Sequence, residues 1–307
     1  MRMAAVRWFA AVALLAAASV SCAAEEPAPP AKAPTIQVNR TVTLSTASGP
    51  RTALVHRPAN LPRNAPLVVV MHGAYGTAEH TKASFGWDAL ADRDGFEVVY
   101  PNGYGRFWNA GSCCGSPHAR NVDDVEFLHR LTEQLVATDG VDPRRVYAVG
   151  MSNGAMMAYA WACAHPDDVA GIGAVAGALV ARCDPAPAMT VVAIHGSADR
   201  SVPINGGVGP KSVSKYNYPA LSQTLAPFLA ADGCLPTPTR TEKAPVQLNT
   251  WSCASDRSIL LAVVNGMGHD YPGARPADAV KRVLRQPPGP LDATTFLWTN
   301  LRSSVLS

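Results

Sequence analysis

The chain has 307 residues, 48% of them hydrophobic and 16% charged, which is ample material for a large core and excludes a generally disordered protein. Its formal net charge of +3 includes Arg2 and Arg7, and no Lys/Arg block follows them, so the charge pattern argues against a nucleic-acid partner.

In chain order, the first residues carry two arginines, an apolar run from Trp8 to Val20 and then small residues. This is the layout of a secretory signal, and it is too short for a membrane span. It divides the chain into a signal peptide over 1–23, an Ala/Pro-rich tether over 24–35 and one catalytic domain over 36–307. Ser19-Val20-Ser21-Cys22 also resembles a bacterial lipoprotein box, with Ser19 where an aliphatic residue is usual, so anchoring through Cys22 stands as an alternative to free secretion.

Residues 35–46 and 51–57 alternate in polarity around Ser48-Gly49-Pro50 and predict an opening antiparallel pair. "APLVVVMHGAYG" predicts a buried strand ending in a glycine-bearing loop, 79–93 a helix, and "FEVVYP" a second buried strand. A long loop over 101–120 precedes an amphipathic helix with Val122, Val125, Leu128, Leu131 and Leu135 on one face. Asp123 and Asp124 open that helix as structural carboxylates, suited to its free amides. The apolar runs "VAGIGAVAG", "MTVVAIHG" and "SILLAVVNGMGH" follow, and a last helix covers 291–301. Strands alternating with helices predict an α/β fold, with a mostly parallel sheet covered by helices on both faces.

The chemistry centres on Gly150-Met151-Ser152-Asn153-Gly154. Val146 to Val149 read as a strand, and an Ala/Met-rich helix runs on toward Pro166. At a strand-to-helix turn the glycines permit a tight bend that lifts the serine hydroxyl above the sheet, and the Asn153 amide at the helix start faces a developing oxyanion. A plain small-residue turn would look the same, so partners must decide. Serine needs a histidine base and a carboxylate to orient it. Asp199 follows the strand "MTVVAIHG" and His269 follows "SILLAVVNGMGH", so Ser152, Asp199 and His269 fall at successive strand ends in the required order. The loop after "LVVV" supplies a second oxyanion amide, placed at Ala74 with Tyr75 as the other candidate; His72 reads as a structural hydrogen-bonding residue.

Six cysteines follow Cys22, and in an oxidising compartment they point to disulfides; none has a zinc-type spacing, and no metal or cofactor is expected. Local bridges Cys163–Cys183 and Cys234–Cys253 are expected, which leaves Cys113 and Cys114 as a vicinal disulfide or as free thiols.

The motifs "MHGAYG", "FWNAGSCCG", "NVDDVEFL", "RRVYAVGMSNGAMMAYAWAC", "AIHGSADRSVPINGG" and "GMGHDYPG", in that order, resemble the secreted α/β-hydrolase esterases that include polyhydroxybutyrate depolymerases and plant-biomass feruloyl and acetylxylan esterases. The resemblance spans roughly residues 50–275. It implies an α/β-hydrolase fold, the same triad of Ser152, Asp199 and His269, and an ester substrate. Many relatives resemble Gly-Gly-Gly-His-x-Trp-Pro after the last strand; here Met267 and Tyr271 depart from that pattern, which alters one wall of the site. Tyr75, Trp108 and Tyr271 are the expected substrate contacts, with a buried aromatic as the commoner fate of a single tryptophan such as Trp108. The expected activity is hydrolysis of feruloyl or acetyl esters of plant polysaccharide, or of short hydroxybutyrate oligomers. A peptidase or thioesterase on the same fold, and a non-catalytic binding module, are the rivals.

Overall fold

The computed structural model of the chain describes residues 38–255, 257–275 and 291–306. The signal peptide, the tether and Cys22 lie outside the described residues. Ten strands, β1 (Val38–Thr46), β2 (Gly49–Arg57), β3 (Leu67–Met71), β4 (Glu97–Pro101), β5 (Val146–Met151), β6 (Gly171–Val175), β7 (Thr190–Gly196), β8 (Thr239–Lys243), β9 (Val246–Trp251) and β10 (Ile259–Val264), form one sheet in the order β1-β2-β4-β3-β5-β6-β7-β10-β9-β8. From β4 to β10 every neighbouring pair is parallel. Antiparallel pairs close both edges. This is the α/β-hydrolase architecture.

The parallel strands are apolar on both faces because both are covered. In β3, Leu67, Val69 and Met71 join one core with α4 (Asp124–Asp139), α5 (Asn153–Ala164) and α6 (Leu221–Ala231). Val68 and Val70 join the other with α1 (Ala78–Phe85), α2 (Trp87–Asp94) and α7 (Ala293–Leu301). The chain order reverses around β3, with β4 on one side and β5 on the other, and the carboxyl ends of such a switch point open a crevice for ligands.

Several elements differ from expectation for local reasons. Residues 79–93 form two helices rather than one, because Gly86 takes a left-handed conformation (φ 80°) that ends α1 and starts α2. In the loop over 101–120 a 3-10 turn (Tyr104–Arg106) and the short helix α3 (Gly115–Ala119) are present. Helix α6 and the β8–β9 hairpin were not anticipated: α6 contains Pro227, and all five residues of β8 are exposed and carry no hydrophobic alternation. Disulfides join Cys163 to Cys183, Cys234 to Cys253 and Cys113 to Cys114. The first ties the last turn of α5 to the segment before β7, and the second ties the chain after α6 to that after β9. No helix among the described residues is long and apolar enough to cross a membrane.

Candidate active site

Ser152 sits between β5 and α5 with φ 54° and ψ −120°, a strained conformation for a non-glycine residue that persists only where its surroundings hold it. Its amide donates to Val175 O (2.8 Å) and its carbonyl accepts from Met156 N (3.0 Å), which lock the bend. Both glycines of the motif are there for close approach. A Cβ on Gly150 would lie 2.3 Å from the Gly154 carbonyl carbon, and one on Gly154 would lie 2.3 Å from Met71 O. The helix therefore starts directly against β3, and the serine projects into the crevice.

The loops after β7 and β10 bring Asp199 and His269 to it. They are laced together by Ser197 N to Val264 O (3.1 Å), Ala198 N to Met267 O (3.0 Å) and Gly266 N to Ser197 Oγ (2.9 Å). His269 Nε2 lies 2.9 Å from Ser152 Oγ, and Nδ1 lies 2.8 Å from Asp199 Oδ2. The other Asp199 oxygen accepts the amides of Ser201 (2.8 Å) and Val202 (2.9 Å). Burial pushes the Asp199 carboxyl up, but the hydrogen bond and charge of His269 and these two amides outweigh it, so its pKa stands below the ordinary carboxylate value. An ionised Asp199 facing Nδ1 sets the tautomer that leaves Nε2 free to take a proton from the serine. His195, 3.5 Å from Asp199, donates from Nε2 to Val202 O (2.8 Å); burial lowers its pKa, and it braces the Asp199 turn in the neutral form.

The loop after β3 forms the facing wall. The Tyr75 amide donates to Arg106 O (2.9 Å), which removes it as an oxyanion donor, whereas the Ala74 amide has no acceptor among the described residues. His72 donates from Nδ1 to Gly73 O (2.8 Å) and accepts the Gly103 amide on Nε2 (2.9 Å). Burial, the largest effect, lowers its pKa to about 4, so it is a neutral strut between two loops.

Of the expected substrate contacts, Trp108 and Tyr271 are both buried, Trp108 in the manner of a core aromatic. Trp108 is fully buried, with its indole N–H on His72 O (2.9 Å). The Asn153 side chain grips its backbone from both sides, accepting from Trp108 N (2.7 Å) and donating to Trp108 O (3.0 Å). Trp108 thus supports the wall from behind. Tyr271 is 2% exposed, stacked on Phe85 at 3.8 Å, with its hydroxyl accepting from Trp87 Nε1 (3.1 Å) and donating to Thr294 Oγ1 (2.9 Å). It anchors the chain behind His269. Tyr75 lines the cleft with its ring 56% exposed and edge-on to Phe107, and the buried Tyr271 also lines it, whereas Trp108 does not.

The role of the Asn153 side chain is not legible in the sequence, because its partner, the Trp108 backbone, lies 45 positions away. Nor is the buried pair of Arg51 and Asp124 (2.6 Å). Asp124 accepts the Asn109 amide (2.7 Å) and Arg51 donates to Asn102 O (3.0 Å), so this pair pins both ends of the segment carrying Trp108, while Asp123 caps α4. Ser152, His269 and the loop after β3 open into one cleft of about 1190 Å³, which Ser201, Val213 and Tyr218 also line.

A family model described as esterase PHB depolymerase matches residues 51–225. The chain belongs to this family. It is 32% identical over 240 residues to a protein of Nocardia uniformis subsp. tsuyamanensis named as an esterase, NocK, covering 69% of this chain and 67% of that one. Feruloyl esterase B of Piromyces equi is 26% identical over 216 residues, 67% of this chain but only 39% of the longer relative. The acetyl xylan esterase from Aspergillus awamori has the same fold, with a TM-score of 0.54 at 18% identity over 75% of this chain and 94% of that one. Family membership makes this esterase a carboxylic ester hydrolase.

Proposed function

We propose that the protein is an exported serine esterase that uses Ser152, His269 and Asp199 on feruloyl or acetyl esters of plant polysaccharide or on short hydroxybutyrate oligomers. The observation that carries the reading is the continuous hydrogen-bonded line from Ser152 Oγ through the imidazole of His269 to Asp199. Ser152 Oγ attacks the ester carbonyl carbon as its proton passes to His269 Nε2, and the resulting oxyanion lies between the amides of Asn153 and Ala74. Collapse of the tetrahedral intermediate breaks the ester C–O bond, and His269 gives its proton to the departing alcohol. A water, deprotonated by the same nitrogen, attacks the acyl-serine; the acid leaves and Ser152 regains its proton. No step requires a cofactor.

The substrate class draws support from the wide cleft, from the exposed ring of Tyr75 at its mouth, and from the feruloyl and acetyl xylan esterases among the similar proteins. Three disulfides and the signal-like first residues support export. Initial rates on acetyl, butyryl and palmitoyl aryl esters, methyl ferulate and a hydroxybutyrate trimer test the proposal, with Ser152→Ala as the blank. Short acyl esters should be cleaved fastest, followed by the ferulate or the trimer. A palmitoyl ester as best substrate would move the reading to a lipase.

A further inference from the structure

At the opposite end of the nucleophile helix three side chains from separate elements converge. His129 comes from α4, His165 caps the C-terminus of α5, and Asp168 lies in the turn leading to β6. His129 Nδ1 is 2.8 Å and His165 Nδ1 3.7 Å from Asp168 Oδ2, and all the candidate donor atoms lie within 4.8 Å of one another. The two imidazole rings face each other at 4.6 Å between centroids. The three side chains are 26%, 35% and 16% exposed, so solvent reaches them while their backbones are fixed.

Their surroundings are arranged as ligand supports. The buried Trp161 donates its indole N–H to Asp168 Oδ2 (2.9 Å), which sets the carboxylate's direction. Glu133 Oε2 lies 3.5 Å from Nε2 of His129, the nitrogen that points away from the cluster. At that ion-pair distance Glu133 adds negative charge beside the imidazole, which favours a cation there. His165 is held by its amide on Trp161 O (2.8 Å), and the Cys163–Cys183 bridge fastens the same turn.

We propose that His129, His165 and Asp168 bind one divalent transition-metal ion of the zinc type, with water completing its coordination. Tetrahedral ligands about 2.0–2.2 Å from zinc stand about 3.3–3.6 Å apart. The His165–Asp168 separation is already close to this, and the His129–Asp168 pair needs to open by about half an ångström as its hydrogen bond is exchanged for bonds to the ion. Two imidazoles and one carboxylate suit zinc, nickel or copper; calcium and magnesium prefer all-oxygen sets. Helix α5 has 12 residues, about 18 Å at 1.5 Å per residue, so the ion sits far from Ser152 and clamps α5 onto α4 without touching substrate. The site escaped sequence reading because 39 positions separate His129 from Asp168 and match no compact metal spacing.

The test is calorimetric titration of the chelator-stripped full-length protein with zinc chloride, with magnesium and calcium chlorides as controls. One zinc should bind per chain with no saturable magnesium or calcium binding, and zinc should raise Tm. His165→Gln should weaken zinc binding at least tenfold and abolish the Tm rise. Asp168→Asn, which retains an acceptor for Trp161, should do the same and guards against a folding artefact. Anomalous diffraction at the zinc edge should give a peak within bonding distance of His129, His165 and Asp168. Zinc affinity unchanged in both variants, an absence of saturable zinc binding, or a peak at His269 alone would overturn the proposal.

Discussion

On the Ser152 side of the cleft, polar groups are buried and paired in series: Asn153 to the Trp108 backbone, the Trp108 indole to His72 O, His72 to Gly73 and Gly103, and Asp124 to Arg51 and Asn109. The excursion over 200–220, which also lines the cleft, is mostly irregular and carries Val208 and Val213 at 53% and 60% exposure, with short local hydrogen bonds such as Ser214 Oγ to Tyr218 OH (2.6 Å). The first wall holds atoms where a small displacement would cost catalysis. The second is anchored where the Ser201 and Val202 amides hold Asp199 and at the buried Ser212 and Tyr218, while Val208 and Val213 project from it. On the proposed mechanism, chemistry should depend on the first wall and on the Asp199 end of the second, and substrate choice on the exposed residues of the second.

The largest effects should fall at the triad. His269→Ala should lower kcat by about 10⁴–10⁶-fold with an unchanged circular dichroism spectrum, because members of a triad act as a unit. Asp199→Asn should cost roughly 10³–10⁴-fold through the wrong imidazole tautomer, read as kcat/KM against pH. Retention of a tenth of the activity in either would break the assignment.

The rigid wall should answer in stability as well as rate. His72 ordinarily titrates near 6.5 and is held to about 4, chiefly by burial, so between these values the unfolded chain takes up a proton that the folded chain refuses. Stability from this group is complete above about pH 6.5 and is lost as the pH falls toward 4, by about 3 kcal/mol in all. Urea unfolding at pH 7 and pH 4.5 should show the loss, and His72→Asn should reduce the slope; an equal slope in the variant contradicts the strut role. Trp108→Phe keeps an aromatic side chain but is smaller than the buried indole and deletes the N–H on His72 O. It should cost about 1–3 kcal/mol of stability. Its kcat should fall roughly tenfold, short of the 10²–10³ for loss of an oxyanion donor itself. A change confined to KM would instead return Trp108 to the role of substrate contact.

On the open wall, Val213→Ser should leave stability within about 0.5 kcal/mol. It should change KM for the larger esters about two- to threefold with kcat steady, the sign of contacts made equally in ground and transition states. A fall in kcat there would erase the contrast between the walls.

The parallel strands were legible in the sequence because each is a short apolar run with a turn at its end, and chain order then placed Ser152, Asp199 and His269 at strand ends. The glycines around Ser152 were legible as well, since close backbone contact leaves no other residue. What escaped depends on contacts distant in sequence. A tryptophan in a loop reads alike as a ligand platform or as a core strut, and only the approach of His72 O and Asn153 decides for Trp108. Tyr271 likewise follows His269 in sequence but is drawn inward by Phe85, Trp87 and Thr294. The β8–β9 hairpin pairs against β10 with a fully exposed outer strand, so hydrophobic periodicity carried no trace of β8 and only a short alternation, Val246 and Leu248, in β9.

The most direct test of Ser152 as the nucleophile is mass spectrometry of the protein after brief exposure to a fluorophosphonate. A single adduct should map to the peptide containing Ser152, with labelling absent in Ser152→Ala and slowed by orders of magnitude in His269→Ala. Equal labelling of Ser152→Ala, or an adduct on another residue in the wild type, would contradict the serine mechanism.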